Sequence, residues 1–266
     1  MNANRKIGVF DSGLGGLTIV KTMLETVHGI DVIYVADTAN APYGEKTREE
    51  ILALSIAITE YLISHHRIDA LVVACNTATS AAINQLRERY SDLIIIGTEP
   101  GLKPAISHSH SKKVGVLATP ATLGGEKYKA LVDLLCRHYH VDVFEQPCHG
   151  LVQQIESGAT DSETTLSMLE KWLTPMREAG VDTIVLGCTH YPLVAESIRK
   201  VMNTPVTLVD SAEGVSKRLL FLLSERGFSN TGCNTLKLYT TGPILPEMVT
   251  RILGDTFSLV VLDSLH

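Results

Sequence analysis

Two stretches of the chain share one pattern of apolar and polar positions. Asp69-Ala-Leu-Val-Val-Ala-Cys-Asn-Thr77 and Asp182-Thr-Ile-Val-Leu-Gly-Cys-Thr-His-Tyr-Pro192 each pass from an Asp through a short apolar run to one small residue and a cysteine. In both, the cysteine falls six positions after the Asp and is followed by small hydroxyl- or amide-bearing residues. Short runs rich in Val, Ile and Leu read as strands buried on both faces of a parallel sheet. In open α/β sheets, ligands sit beyond the carboxyl ends of such strands. Both Cys75 and Cys188 are therefore expected at the lip of a crevice.

The surrounding pattern extends the repeat. Strands are predicted at 6–10, 31–36, 70–74 and 93–97, with helices at 17–27, from Thr47 toward His65, and at 78–90. Thr47 with Glu50 has the spacing of a capping box. The series then restarts. Strands at 113–117, 141–145, 183–187 and 206–209 follow, with Thr160 and Glu163 read as the cap of a helix reaching Ala179. The spacing from Ile7 to Val114 is 107 residues, from Cys75 to Cys188 it is 113, and from Ile94 to Val206 it is 112. Thr119 falls where Ser12 fell. A helix at 214–226, a strand at 236–239, a helix at 246–253 and a last strand remain, and are expected to pack onto the first half. The fold class is α/β, with two pseudo-symmetric domains, 1–97 plus 209–266 and 98–208. Each is a mostly parallel sheet flanked by helices, with the active site in the crevice between them.

Composition narrows the partners. A formal charge of −6 and a pI near 5.9 argue against a nucleic-acid or anionic-membrane surface. The opening residues lack the apolar core of a signal peptide, and no apolar run approaches a membrane span. The five cysteines are scattered and odd in number, and read as free thiols of a cytoplasmic protein. A small molecule is the expected partner. Oligomeric state stays open, with a homodimer as one option.

The thiolate is the reactive form of cysteine, and a helix N-terminus favours it. One buried cysteine is unremarkable, since the residue type is commonly buried. Two at matching places call for chemistry. His190, two residues after Cys188, could serve as a base. Asp11 ends the first strand, where it either poises a thiol or caps a helix. Ser12, Asn76, Thr77, Thr119 and Thr189 supply short donors suited to a carboxylate ligand. Gly13-Leu-Gly-Gly16 lacks the ending of a P-loop and the spacing of a dinucleotide fingerprint, and is read as a tight turn with close backbone approach. Cys136-Arg-His138-Tyr-His140, Cys148-His149 and His108-Ser-His110 lack paired zinc spacing. No metal and no cofactor is expected.

Four motifs in order carry a resemblance. They are Ile7-Gly-Val-Phe-Asp-Ser-Gly-Leu-Gly-Gly-Leu-Thr18, Ala-Asp37-Thr with Pro42-Tyr-Gly44, Ala-Cys75-Asn-Thr77, and Gly-Cys188-Thr-His-Tyr-Pro192. Together with Leu-Val-Asp-Ser211 and Thr-Gly242, they make the chain similar to the glutamate racemases. The resemblance implies a cofactor-independent enzyme that interconverts L- and D-glutamate and supplies the D-isomer for peptidoglycan. It makes Cys75 and Cys188 the acid/base thiols, Cys75 on the D face and Cys188 on the L face, with Asp11, His190 and Glu156 assisting. It lines the substrate pocket with Asp11, Ser12, Pro42, Tyr43, Gly44, Asn76, Thr77, Thr119, Thr122, Thr189 and His190. Cys148-His149 departs from the family's usual Cys-Pro, which bears on Glu156. Aspartate racemases share the two-cysteine plan and are the near alternative. From other classes, a thiol hydrolase or transferase using one cysteine with His190, and a two-lobed amino-acid-binding protein, compete.

Overall fold

A computed structural model describes residues 4–254 and, for the backbone alone, 258–261. Residues 1–3, where the sequence reading looked for a signal peptide, lie outside it. The chain divides into two compact units, one formed by the chain up to Thr98 and from Ala212 on, the other by Glu99–Ser211.

The first unit opens with β1 (Arg5–Asp11), α1 (Leu17–Thr26), β2 (Ile30–Ala36), α2 (Arg48–Tyr61), β3 (Ala70–Val73), α3 (Asn76–Arg89) and β4 (Ile94–Gly97). The second unit follows as α4 (Leu102–His108), β5 (Lys113–Ala118), α5 (Pro120–Gly124), α6 (Glu126–Tyr139), β6 (Asp142–Pro147), α7 (Leu151–Glu156), α8 (Glu163–Ala179), β7 (Thr183–Gly187), α9 (Ala195–Met202) and β8 (Thr207–Val209). The chain returns to the first unit with α10 (Ala212–Glu225), β9 (Thr235–Thr240), α11 (Pro246–Leu253) and β10 (Ser258–Val261).

Both sheets are parallel in every pair. The first has the order β10-β9-β2-β1-β3-β4 and the second β6-β5-β7-β8. The four strands β2-β1-β3-β4 correspond one for one to β6-β5-β7-β8, so β9 and β10 extend one edge of an otherwise repeated sheet. The register repeats as well. Ile7 lies opposite Ala70, and Val114 opposite Thr183, which are the counterparts that the sequence spacing gives. The last strand differs by one residue. Ala70 faces Ile94 whereas Thr183 faces Thr207, so Thr207 and not Val206 is the counterpart of Ile94.

The aspartates that begin the two motifs have a structural task. Asp69 accepts the Lys6 amide at 2.8 Å and the Arg5 guanidinium at 3.0 Å, tying the start of β3 to that of β1. Asp182 accepts the Ser109 hydroxyl at 2.7 Å and the His110 and Ser111 amides at 2.8 and 2.7 Å, at the entrance to β5. Burial pushes the Asp182 carboxyl up, but these hydrogen bonds outweigh it and bring the pKa down to about 2.

Local chemistry sets the element boundaries. Thr47 and Glu50 form the expected capping box, each side chain bonded to the other's backbone N–H. Thr160 does not cap α8. Ser162 does, accepting the Thr165 amide at 3.2 Å, while the Thr160 carbonyl takes the Ser197 hydroxyl. Helix α3 begins at Asn76 instead of residue 78, because Cys75 itself is its cap. Helix α10 likewise begins two residues before the expected position. In the first unit, α2 and α3 cover one sheet face through Ile51, Ile58, Ala82 and Leu86, which meet Phe10, Val35, Leu71 and Val73. Helix α1 packs against α10 and α11. In the second unit α4 and α6 cover β5 and β7. Among the described residues, no helix is long and apolar enough to cross a membrane.

Candidate active site

Each unit presents a thiol just past the strand that follows its motif's Asp, two residues beyond β3 for Cys75 and one beyond β7 for Cys188. In the first unit Cys75 leaves β3 after Ala74 and caps α3, its Sγ accepting the Ala78 amide at 3.4 Å. It is buried, and Ser12 Oγ lies 4.0 Å from its Sγ. A free amide and the positive end of a 14-residue helix act on this sulfur, and both favour negative charge there.

Asp11 ends β1 beside it, fully buried, with Oδ2 accepting the Gly16 amide at 2.8 Å. The bond shapes the glycine-rich turn, and the turn needs its glycine. A Cβ on Gly16 would lie 2.8 Å from Asp11 Cβ and from the Tyr34 hydroxyl. Asp11 is not the cap of α1, which is Gly16; it holds the turn before the helix and also sets a carboxylate near Cys75. The Tyr43 hydroxyl stands within the field of both groups and donates to Asp37 at 2.5 Å. Burial first, and then the Asp37 charge, push the Tyr43 phenol far up, so it stays a donor. Pro42 and Gly44 flank it, both half-buried. Asn76 and Thr77 form the first turn of α3, both buried. Neither amide atom of the Asn76 side chain has a protein partner among the described residues. A buried amide of this kind needs an explanation, and recognition of a ligand supplies one.

In the second unit Cys188 follows β7 and its Sγ lies 3.7 Å from His190 Nδ1. His190 Nε2 is 2.5 Å from Glu156 Oε1, at the end of α7. His190 is almost wholly buried. Burial alone would depress its pKa, but the hydrogen bonds and charges of Cys188 and Glu156 outweigh burial and raise it well above the ordinary value. The ring thus sits between the Cys188 sulfur and the Glu156 carboxylate, and both favour its protonated form. The departure at Cys148-His149 leaves this contact in place: His149 is exposed and Cys148 is buried. Burial pushes the Cys148 thiol up to about 12, and its Sγ donates to the Gln146 carbonyl at 3.4 Å. Thr119 caps α5 and bonds Thr122, their hydroxyl oxygens 2.9 Å apart, and Thr189 is buried next to Cys188 in sequence.

None of the five cysteines is in a disulfide. Among the described residues, no group of three or more His, Cys, Asp or Glu is placed to hold a metal ion. Within the second unit alone, the thiol–imidazole–carboxylate series resembles that of a nucleophilic hydrolase. Comparison with known proteins decides otherwise. Residues 7–215 match the Asp/Glu/Hydantoin racemase family.

The chain belongs to this family.

Within the family it is 54% identical to the glutamate racemase of Sulfurovum sp. over 250 residues, covering 94% of each chain. Its fold matches the crystal structure of a glutamate racemase isoform from Bacillus anthracis with a TM-score of 0.85 at 31% identity, covering 98% of both chains. It also matches the glutamate racemase of Francisella tularensis, solved with D-glutamate, with a TM-score of 0.83 at 31% identity and 99% coverage of both. The repeated sheets of this family member thus carry one thiol each, with different neighbours: Ser12 and the start of α3 at Cys75, His190 and then Glu156 at Cys188.

Proposed function

We propose that the protein is a cofactor-independent glutamate racemase, interconverting L- and D-glutamate in the cytoplasm and supplying D-glutamate for peptidoglycan. The observation that carries this reading is the pair of thiols at equivalent strand ends of two sheets with repeated register. Inverting an α-carbon without a cofactor needs a base on one face and an acid on the other, because the incoming proton arrives opposite the departing one. Cys75 and Cys188 take these roles and exchange them with the direction of reaction.

The supporting residues follow from their surroundings. The end of α3 and the Ala78 amide stabilise a Cys75 thiolate. His190, held charged by Glu156, offers its Nδ1 side to Cys188 and keeps negative charge there tolerable after the sulfur has lost its proton. Asp11 acts electrostatically beside Cys75. The Asn76 amide and the hydroxyls of Ser12, Thr77, Thr119, Thr122 and Thr189, with the Pro42-Tyr43-Gly44 loop, receive the carboxylates of the substrate. Fixed donors of this kind also stabilise the charge that develops as the α-proton leaves.

Circular dichroism of D-glutamate mixed with the purified protein tests the reading, with and without exhaustive chelation. The signal should decay to that of the racemate at the same rate in both. A constant signal refutes the activity, and activity restored only by added metal or pyridoxal phosphate refutes its independence of cofactors.

A further inference from the structure

A turn near the C-terminal end of the first unit clasps the loop that carries Tyr43. Strand β9 lies beside β2 with Thr240 opposite Ala36, so Asp37 and Thr241 leave the sheet side by side although 204 residues separate them. Thr241 Oγ1 donates to Asp37 Oδ1 at 2.7 Å and accepts the Ala39 amide at 3.1 Å. The Thr240 and Thr38 hydroxyl oxygens are 2.9 Å apart. Gly242 approaches so closely that a Cβ there would stand 2.9 Å from the Ala39 nitrogen.

Asp37 is fully buried, and the clasp supplies part of what it needs. Its other oxygen takes the Tyr43 hydroxyl at 2.5 Å, and Asn40 Nδ2 lies 3.0 and 3.2 Å from the two oxygens. A buried carboxylate is tolerated only when donors surround it, so each donor fixes the position of the others. The resulting series is Thr241, Asp37, Tyr43, and the last of these is packed in one buried cluster with Cys75.

We propose that Thr241 is a positioning residue for substrate: through Asp37 it fixes the Pro42-Tyr43-Gly44 loop in the arrangement that receives a glutamate carboxylate. This rests on the glutamate racemase reading and deepens it. The loop serves both enantiomers, so its loosening weakens binding of each without touching proton transfer.

Thr241→Val keeps the shape and removes the hydroxyl. It should raise KM about tenfold for both L- and D-glutamate and change kcat by less than about twofold, a tenfold loss being the ~1.4 kcal/mol expected of one hydrogen bond to a charged acceptor. Thr241→Ser should restore KM. Thr235→Val, which removes a like bond from Thr235 to Asp31 at the far end of the same strand, should leave KM unchanged. Tyr43→Phe cuts the same series at its other link, so its effect and that of Thr241→Val should not add. Thr241→Ala takes the place of the Val variant in that cycle if the latter does not fold. An unchanged KM, an equal change in Thr235→Val, or additive effects in the cycle would overturn the proposal. A wild-type protein that does not racemise glutamate overturns the functional reading itself, which is a separate and distinguishable result.

Discussion

Glu156→Gln isolates the charge that holds His190. The amide keeps the shape of the side chain and an oxygen for the Nε2–H, and removes only the negative charge. A hydrogen bond to a charged group contributes roughly 1.5–3 kcal/mol and a neutral one roughly 0.5–1.5, so the exchange weakens the pair by about 1 kcal/mol. The Glu156 side chain is 24% exposed, and solvent keeps the loss toward that lower figure. The sign follows from the direction of the His190 shift. Its pKa is raised on folding, so its contribution to stability is full below the unfolded value of about 6.5 and fades as pH rises through the folded value. The stability gap between wild type and Glu156→Gln should therefore be widest at about pH 6 and close at higher pH. Urea unfolding at a series of pH values measures the gap. The ring nitrogens of labelled His190, assigned by difference against His190→Asn, report the proton directly. A gap that is flat or widens with pH, or a His190 that titrates alike in both proteins, would refute the electrostatic account.

Three further outcomes follow from the same geometry. Asp11→Asn should lower kcat more than it raises KM, since the amide still accepts the Gly16 N–H; near-normal turnover in the folded variant would leave Asp11 only its loop-holding role. Asp182→Asn should destabilise the protein by about 1 kcal/mol at neutral pH. Because the Asp182 pKa is lowered on folding, that loss should be present above about pH 4 and vanish as pH falls toward about 2, and acid unfolding curves that stay apart there would contradict it. Glutamate should be preferred over aspartate in kcat/KM, because the shorter acid leaves donors for the distal carboxylate unpaired; comparable values would mark a broader amino-acid racemase.

The repeat was the most legible feature of the sequence, because it is written in long-wavelength spacing. Ile7 to Val114 spans 107 residues and Ala70 to Thr183 spans 113, and parallel pairing brings both pairs into the same register. Helices shorter than two turns were not legible. Helices α5 and α7 have five and six residues, too few for an apolar stripe to recur. At Thr160-Asp-Ser-Glu163 three residues in succession can cap a helix, and tertiary contact decided among them: Ser197 claims the Thr160 carbonyl, leaving the cap to Ser162. Cys75 and Cys188 stood out because they occur twice. Asp37 and Thr241 did not, because their meeting depends on β9 joining β2, and nothing local to either residue records it.

The central claim is that two thiols act as separate bases on opposite faces of one carbon, and exchange in deuterated water tests it most directly. Starting from either enantiomer, the first product formed should carry solvent deuterium while unreacted substrate keeps its hydrogen. Cys75→Ala and Cys188→Ala should each abolish racemisation in a folded protein. Each should retain slow exchange of only one enantiomer through the thiol that remains, and the two variants should choose opposite enantiomers. Deuterium appearing in unreacted substrate at the rate of product formation would mean one base serves both faces. Substantial racemisation by Cys75→Ala would contradict the account outright, and leave the Cys188–His190–Glu156 series as a one-cysteine catalyst.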